Sequence, residues 1–130
     1  MLIVEYDIET RPAMNPVEVY IDNQPESHRA LWLHLRWFIL SRYDDVKEGI
    51  KYRIPFFMLK GKNWIYLNPR EGGIDVSFLN GTRMIDVQSH LRIDGRKNVG
   101  SYFVPSLEEL NQNELEFLID HSMHEHLGRF

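Results

Sequence analysis

Apolar residues recur at three- and four-residue spacing between Glu26 and Tyr43, which is typical of an α-helix. The face predicted to be buried consists of Leu31, Trp32, Leu35, Phe38 and Ile39. A second apolar row on the same helix consists of Leu33, Trp37 and Leu40. Because a helix that is apolar on two sides needs a cover on both, we expect an N-terminal arm or a homodimer partner to cover the second row.

The aromatic-rich stretch from Gly49 to Leu67 predicts two strands that fold back on each other at Lys60-Gly61-Lys62. Strict alternation puts Tyr52, Ile54, Phe56 and Met58 on one face of the first strand, and Lys51, Arg53, Phe57 and Leu59 on the other. Two more strands are predicted, over residues 74–78 and 99–104. The second of these ends at Pro105, which cannot donate a backbone hydrogen bond.

Two further helices are predicted from their capping residues. Asn15 followed by Pro16 predicts a short helix over residues 17–21. Ser106 and Glu109 form a capping-box pattern, which predicts a short helix that kinks near Asn111 into a longer one ending at about Leu127. The inner face of that longer helix is predicted to consist of Leu115, Leu118, Ile119 and Ser122. Helices and strands together predict an α+β fold.

The length and composition predict one soluble domain. The chain has 130 residues, 43% of them hydrophobic and 26% charged, which suits a single core at the usual domain size of about 100–150 residues. We therefore expect residues 1–130 to form one domain, with residues 1–15 as an N-terminal arm. The absence of cysteine excludes disulfides and thiolate sites. With no secretion signal or membrane span in the sequence, we expect a cytoplasmic protein.

The net charge of -4 conceals an uneven distribution along the chain. Residues 47–104 hold ten bases and five acids, whereas residues 1–46 hold four bases and eight acids. Residues 106–130 hold one base and six acids. The two halves can complement each other within one fold. Because no continuous basic stripe is legible in the sequence, we do not expect nucleic acid as a partner.

Several short motifs resemble one known family. They are Glu48 to Tyr52, Ile54 to Phe57, Gly61-Lys62, Tyr66 to Asn68, Asp75-Val76, Phe78, Gly81, Gly95 to Lys97 and Ser106 to Glu109. In these motifs the chain resembles the YdhG-like family, a domain-of-unknown-function group of small bacterial proteins. The resemblance implies an α+β fold with helices packed on one face of a mostly antiparallel sheet of about four to six strands. Since a bacillary member is regarded as an iron chaperone, it also implies frataxin-like iron binding or delivery.

Iron favours clustered oxygen ligands, and two groups of acids could supply them. Glu18 and Asp22 are four residues apart on the first predicted helix, and Glu26 follows shortly after. The second group, Asp44, Asp45 and Glu48, precedes the predicted hairpin. If the two groups converge, they would make a weak, open iron site. If they do not, they are solvated acids near helix ends.

The histidine-rich tail is an alternative metal site. On a helix, His121 with Glu125 and Asp120 with His124 are pairs four residues apart that could share a metal ion. The competing interpretation is that histidines at a helix C-terminus interact favourably with the helix dipole and bind nothing.

A third candidate needs no metal. Lys51, Arg53 and Phe57, predicted to share one face of the hairpin, could bind a small molecule or a protein partner. Lysines beside an edge strand also discourage sheet-to-sheet pairing, which is the competing explanation. The sequence contains no Gly-x-Ser-x-Gly turn, His-Glu-x-x-His motif or phosphate-binding loop, so we favour a binding domain over an enzyme, which stays the third alternative.

Overall fold

The structure is a computed structural model that describes residues 15–128. Its helices are α1 (Pro16–Asp22), α2 (Glu26–Arg42) and α3 (Gln112–Leu127). Its strands are β1 (Val46–Lys51), β2 (Ile54–Leu59), β3 (Lys62–Arg70), β4 (Gly73–Phe78) and β5 (Gly100–Val104). Two 3₁₀ helices, Gly81–Arg83 and Ile85–His90, connect β4 to β5. The predicted N-terminal arm, apart from Asn15, lies outside the described residues.

The five strands form one sheet in the order β1-β2-β3-β4-β5, and each strand is antiparallel to its neighbours. This meander confirms the predicted α+β fold with an antiparallel sheet. Short turns connect β1 to β2, β2 to β3 and β3 to β4, as is usual for antiparallel neighbours, whereas the longer connection from β4 to β5 contains the two 3₁₀ helices. No helix within residues 15–128 has the length and apolar character needed to cross a bilayer.

The three helices pack on the same face of the sheet. On that face, the Trp64 indole N–H of β3 donates to the Ser122 hydroxyl of α3 over 2.9 Å. Tyr102 of β5 donates to Glu114 of α3 over 2.6 Å, and Arg36 of α2 bonds to Glu48 of β1. Between sheet and helices lies a hydrophobic core that includes the predicted inner faces of α2 and α3.

The second apolar row of α2 remains partly uncovered in the described structure. Leu33 is 48% exposed and Trp37 is 61% exposed, whereas Leu40 packs against the core. The N-terminal arm that we expected to cover this row lies, apart from Asn15, outside the described residues. That a homodimer partner covers the row stays a prediction.

The chain from Gly49 to Leu59 is two strands joined by a turn, and not the single strand that the sequence predicted. Tyr52 and Arg53 form a two-residue turn with positive φ of 53° and 67°, so that Lys51 pairs with Ile54. Such turns normally contain Asn or Gly, because these residues adopt positive φ at least cost. The predicted reversal at Lys60-Gly61 is confirmed, since Leu59 pairs with Lys62.

The predicted short helix at Ser106 is a turn. The Ser106 hydroxyl accepts from the Glu109 backbone N–H over 3.1 Å, as in a capping box. The helix does not continue from it, because the extended backbone of Asn111 (φ -87°, ψ 96°) interrupts helical geometry. Instead, the Asn111 side chain accepts from the Glu114 backbone N–H and caps α3.

Candidate functional site

The sheet face opposite the helices, here called the open face, carries a line of aromatic side chains. Phe56 and Tyr66 are paired residues of β2 and β3, and their rings stack with centroids 5.0 Å apart and planes 21° apart. Tyr52 extends the line from the β1–β2 turn, with its ring centroid 5.7 Å from that of Phe56. Phe56 is buried but lies outside the main core. The three rings therefore form a separate apolar cluster.

A cleft of about 470 Å³ lies along this aromatic line, and we call it the open-face cleft. Its lining consists of Tyr52, Ile54, Phe56, Asn63, Tyr66, Asn68 and Leu79. The volume lies within the range of about 300–1,000 Å³ that is usual for small-molecule sites. Apolar rings with a few amide groups are also the usual lining of such sites, since the rings supply contact area and the amides fix orientation.

Tyr52 occupies an unfavourable backbone conformation without burying its ring. A bulky residue at positive φ is uncommon, and the left-handed conformation costs about 1–2 kcal/mol for a residue with a side chain. Burial does not offset this cost, because Tyr52 is 85% exposed. Backbone strain of this kind is concentrated at functional sites. The turn therefore holds an aromatic ring in solvent at a cost in stability.

The structure does not form the predicted face of Lys51, Arg53 and Phe57. Phe57 has no exposed surface and packs in the core on the helix side. Lys51 pairs with Ile54 on the open face, and its ammonium group donates to Asn63 over 2.7 Å. Arg53 is exposed in the turn. The face was mispredicted because the turn reverses the chain between Lys51 and Phe57.

Glu18 and Glu48, one from each predicted acidic group, do converge, but an arginine lies between them. Arg36 donates to Glu48 through Nε at 2.8 Å and Nη2 at 2.6 Å, and its Nη1 lies 3.5 Å from Glu18. Asn15 adds a hydrogen bond to Glu48 at 2.9 Å. The hydrogen bonds to Glu48 raise the pKa of Arg36. A guanidinium thus provides the positive charge that a metal ion would provide.

The other acids remain on the surface. Asp45 forms an exposed ion pair with Lys60 at 2.6 Å, and that hydrogen bond lowers the pKa of Asp45. Asp44, Asp22 and Glu26 are exposed. Between Asn15 and Gly128, no three side chains of His, Asp or Glu come close enough to hold a metal ion together.

The predicted histidine pairs also have other neighbours. Asp120 accepts two hydrogen bonds from Arg42, at 2.8 and 2.5 Å, and one from the Tyr43 hydroxyl at 2.5 Å. Burial raises the pKa of Asp120, but these hydrogen bonds outweigh it, so that the pKa lies below its usual value. His121 and His124 line a shallow cleft of about 400 Å³ beside Asp120. Glu125 lies on the same helix, α3, and makes contacts of its own.

The open face also carries an unpredicted ion pair. Asp75 is only 2% exposed and accepts from Arg92 at 2.6 and 3.3 Å, and Arg70 lies 3.4 Å away. The sequence did not indicate this ion pair, because Arg92 is held beside β5 only by an isolated β-bridge to Ser101. Asn63, Tyr66 and the other cleft residues of β3 were missed because only the strand register brings them beside β2.

Comparison with known proteins identifies the fold. No protein-family model matches the chain, and no curated protein matches it significantly. A solved structure does match: the crystal structure, at 1.75 Å resolution, of a protein of the DUF1801 family, YdhG, from Bacillus subtilis. The TM-score is 0.63, with 16% sequence identity over 85% of this chain and 90% of that chain. This chain has a YdhG-like fold. The likeness confirms the architecture expected from the motifs, and at this identity it concerns the fold alone.

Proposed function

We propose that this chain is a binding domain and that its ligand site is the open-face cleft. The observation that carries the proposal is the Tyr52 side chain, which is 85% exposed, belongs to a residue at positive φ, and continues the ring line of Phe56 and Tyr66. A planar part of the ligand stacks on Tyr52, since offset or tilted ring contacts are favourable at centroid distances of about 4.5–7 Å.

The proposal is supported by the small contribution that the Tyr52 ring makes to folding. An exposed ring contributes little to folding, and Asn or Gly would form the same turn with less strain. The identity of this residue is therefore better explained by contact with a molecule outside the chain. Lys51 and Arg53, both predicted from the sequence as ligand residues, are the sequence neighbours of Tyr52. The predicted aromatic ligand residue, Phe57, is buried, and Phe56 and Tyr66 provide the aromatic contacts of the site instead.

A ligand screen tests the proposal. A library of water-soluble compounds with planar rings would be screened by ligand-observed NMR against the wild-type chain and the Tyr52→Ala variant. We expect at least one class of compound to bind the wild type and to lose binding in the variant. Phe117→Ala is the matched control, because Phe117 is another exposed aromatic residue, 52% exposed, on α3. A library in which no compound depends on Tyr52 would exclude this site.

We also propose, as a second candidate, frataxin-like iron binding at the surface acids. It continues the expectation drawn from the sequence motifs, and it is supported by Asp44 and Asp45, which are adjacent in sequence and both exposed. Because Arg36 neutralises Glu18 and Glu48, iron would be bound by the Asp44 and Asp45 carboxylates together with water. The iron would displace Lys60 from its exposed ion pair with Asp45. Such a site would be weak, since hard cations are held best by several protein oxygens.

An anaerobic titration with ferrous iron tests the second candidate. We expect saturable binding that is lost when Asp44 and Asp45 are both replaced by Asn. Replacing Glu108 and Glu109 by Gln is the control, because these residues are also adjacent, exposed acids. Binding that is absent, or equal in both double variants, contradicts iron handling at this position.

A further inference from the structure

The open face is positively charged around the open-face cleft. Strand pairing puts Lys47 and Lys51 of β1 and Arg70 of β3 on this face. The carboxylate of Asp75 is already paired with Arg92 and Arg70. The sequence shows no basic stripe because these residues are scattered along the chain, and only the sheet register gathers them. Clustered positive charge around a concave site attracts anionic ligands.

We infer that the ligand of the open-face cleft is a nucleotide unit, that is, a planar heterocyclic base carrying a phosphate. The inference rests on the proposed function, because it names the ligand class of the same site. It also differs from the expectation, drawn from the sequence alone, that nucleic acid is not a partner. A free mononucleotide and a single-stranded nucleic acid present the same chemistry, so the experiment distinguishes these two sources.

The base is recognised by a ring and by amides. An exposed aromatic side chain is a typical stacking platform for bases, because every base presents a π face. Tyr52 provides that surface, with Phe56 and Tyr66 packed behind it. The amides of Asn63 and Asn68 line the same cleft. Since an amide can both donate and accept hydrogen bonds, these two groups can contact the edge of a base.

The phosphate is recognised by the cations next to the ring. Lys51 donates one hydrogen bond to Asn63, which positions its ammonium group at the cleft. Because an ammonium group has three donors, two remain for a ligand oxygen. Arg53 follows Tyr52 in the turn and is exposed, and its guanidinium can bind two phosphate oxygens at once. One turn thus supplies adjacent ring and cationic contacts.

Fluorescence anisotropy tests the inference with a labelled oligouridylate and a labelled oligodeoxythymidylate. Unlabelled uridine and adenosine monophosphates serve as competitors. We expect Tyr52→Ala to weaken binding about 5- to 150-fold, the range found when a stacking ring is removed, and Tyr52→Phe to bind like the wild type. Lys51→Gln should weaken binding and reduce its dependence on salt, because one phosphate contact is lost. Lys97→Gln, which removes an exposed lysine elsewhere, should change little.

The outcomes separate the two sources and the two proposals. Competition by mononucleotides at concentrations similar to those of the oligonucleotides indicates a single-nucleotide site. Binding of oligonucleotides alone indicates a single-stranded nucleic acid as the ligand. If neither binds, or if Tyr52→Ala binds as well as the wild type, the inference is wrong. In that case, Tyr52-dependent binding of uncharged rings in the ligand screen would leave the proposed function intact.

Discussion

Arg36 of α2 donates to both carboxylate oxygens of Glu48 in β1, at 2.8 and 2.6 Å. This bidentate pair joins the longest helix to the first strand at the edge of the core. The Glu48 side chain is only 9% exposed and that of Arg36 is 21% exposed, so both charges are largely removed from water. An intact ion pair of this kind contributes little to the free energy of folding. Removing one partner is costly, because the remaining charge is left without a partner.

We predict that Arg36→Met lowers the free energy of unfolding by about 2–3 kcal/mol, because Glu48 then loses its charged partner. The double variant with Glu48→Gln should recover part of this loss, since no uncompensated charge remains. Urea unfolding monitored by circular dichroism measures both values. Lys60→Met is the control, since it breaks only the exposed pair with Asp45, and no measurable change is expected there.

The strained β1–β2 turn predicts a stabilising substitution. Arg53→Gly should raise the free energy of unfolding by about 0.5–1 kcal/mol, because relief of the positive φ exceeds the entropy that glycine gains on unfolding. Thermal unfolding would show the melting temperature rising by a few degrees. Arg83 lies in a 3₁₀ helix and lacks positive φ, so Arg83→Gly should lower the melting temperature. A lower melting temperature in both variants would contradict the strain argument.

We predict that the free energy of unfolding depends on pH through Asp120. Its pKa is lowered in the folded chain by hydrogen bonds from Arg42 and Tyr43, which outweigh the effect of burial. A carboxyl group with a lowered pKa stabilises the fold above its unfolded pKa of about 3.9 and loses this contribution as pH falls through the folded value. Asp120→Asn should therefore be less stable than the wild type near neutral pH.

The difference between Asp120→Asn and the wild type should shrink as the solution is acidified below about pH 4. Urea unfolding at a series of pH values measures it. Tyr43→Phe, which removes one of the hydrogen bonds to Asp120, should show a weaker form of the same pH dependence. A stability difference that stays constant with pH would show that the Asp120 charge is not responsible.

Two glycines predict opposite responses to alanine. A Cβ at Gly81 would collide with the backbone of Gly100, and neither backbone can move without disturbing β5. Gly81→Ala should therefore destabilise the fold by about 3 kcal/mol. At Gly49 the nearest atom is the flexible Met58 methyl at 3.8 Å, so that Gly49→Ala should be tolerated. Chemical denaturation of the two variants under identical conditions makes the comparison.

Periodicity predicted the helices and strands well where a single face decides the structure. The five residues predicted as the buried face of α2 are all buried, because the core selects one side of a 3.6-residue repeat. The β1–β2 turn was not predictable, because its two residues, Tyr52 and Arg53, do not favour positive φ as Gly and Asn do. Local pattern reveals what a residue prefers, and here the tertiary structure overrides that preference.

The candidate site was predictable only in part, because it depends on pairing between distant residues. Alternation put Ile54 and Phe56 on one face, but the partner Tyr66 follows from the β2–β3 register. The sequence left open whether the two acidic groups converge, and the structure brings only Glu18 and Glu48 together, through Arg36. That Arg36 would lie between Glu18 and Glu48 could not be read from residue spacing, since three separate elements contribute.

The side of α2 that is partly uncovered among residues 15–128 gives this protein an intrinsic fluorescence probe. Trp32 and Trp64 are each 1% exposed, whereas Trp37 is 61% exposed. Acrylamide should therefore quench the emission of Trp37 far more than that of the two buried indoles. Any molecule that covers Leu33 and Trp37, whether another segment of the chain or another protein, would shift this emission to shorter wavelength and protect it from quenching. Tryptophan fluorescence can thus detect contact at this surface without a label.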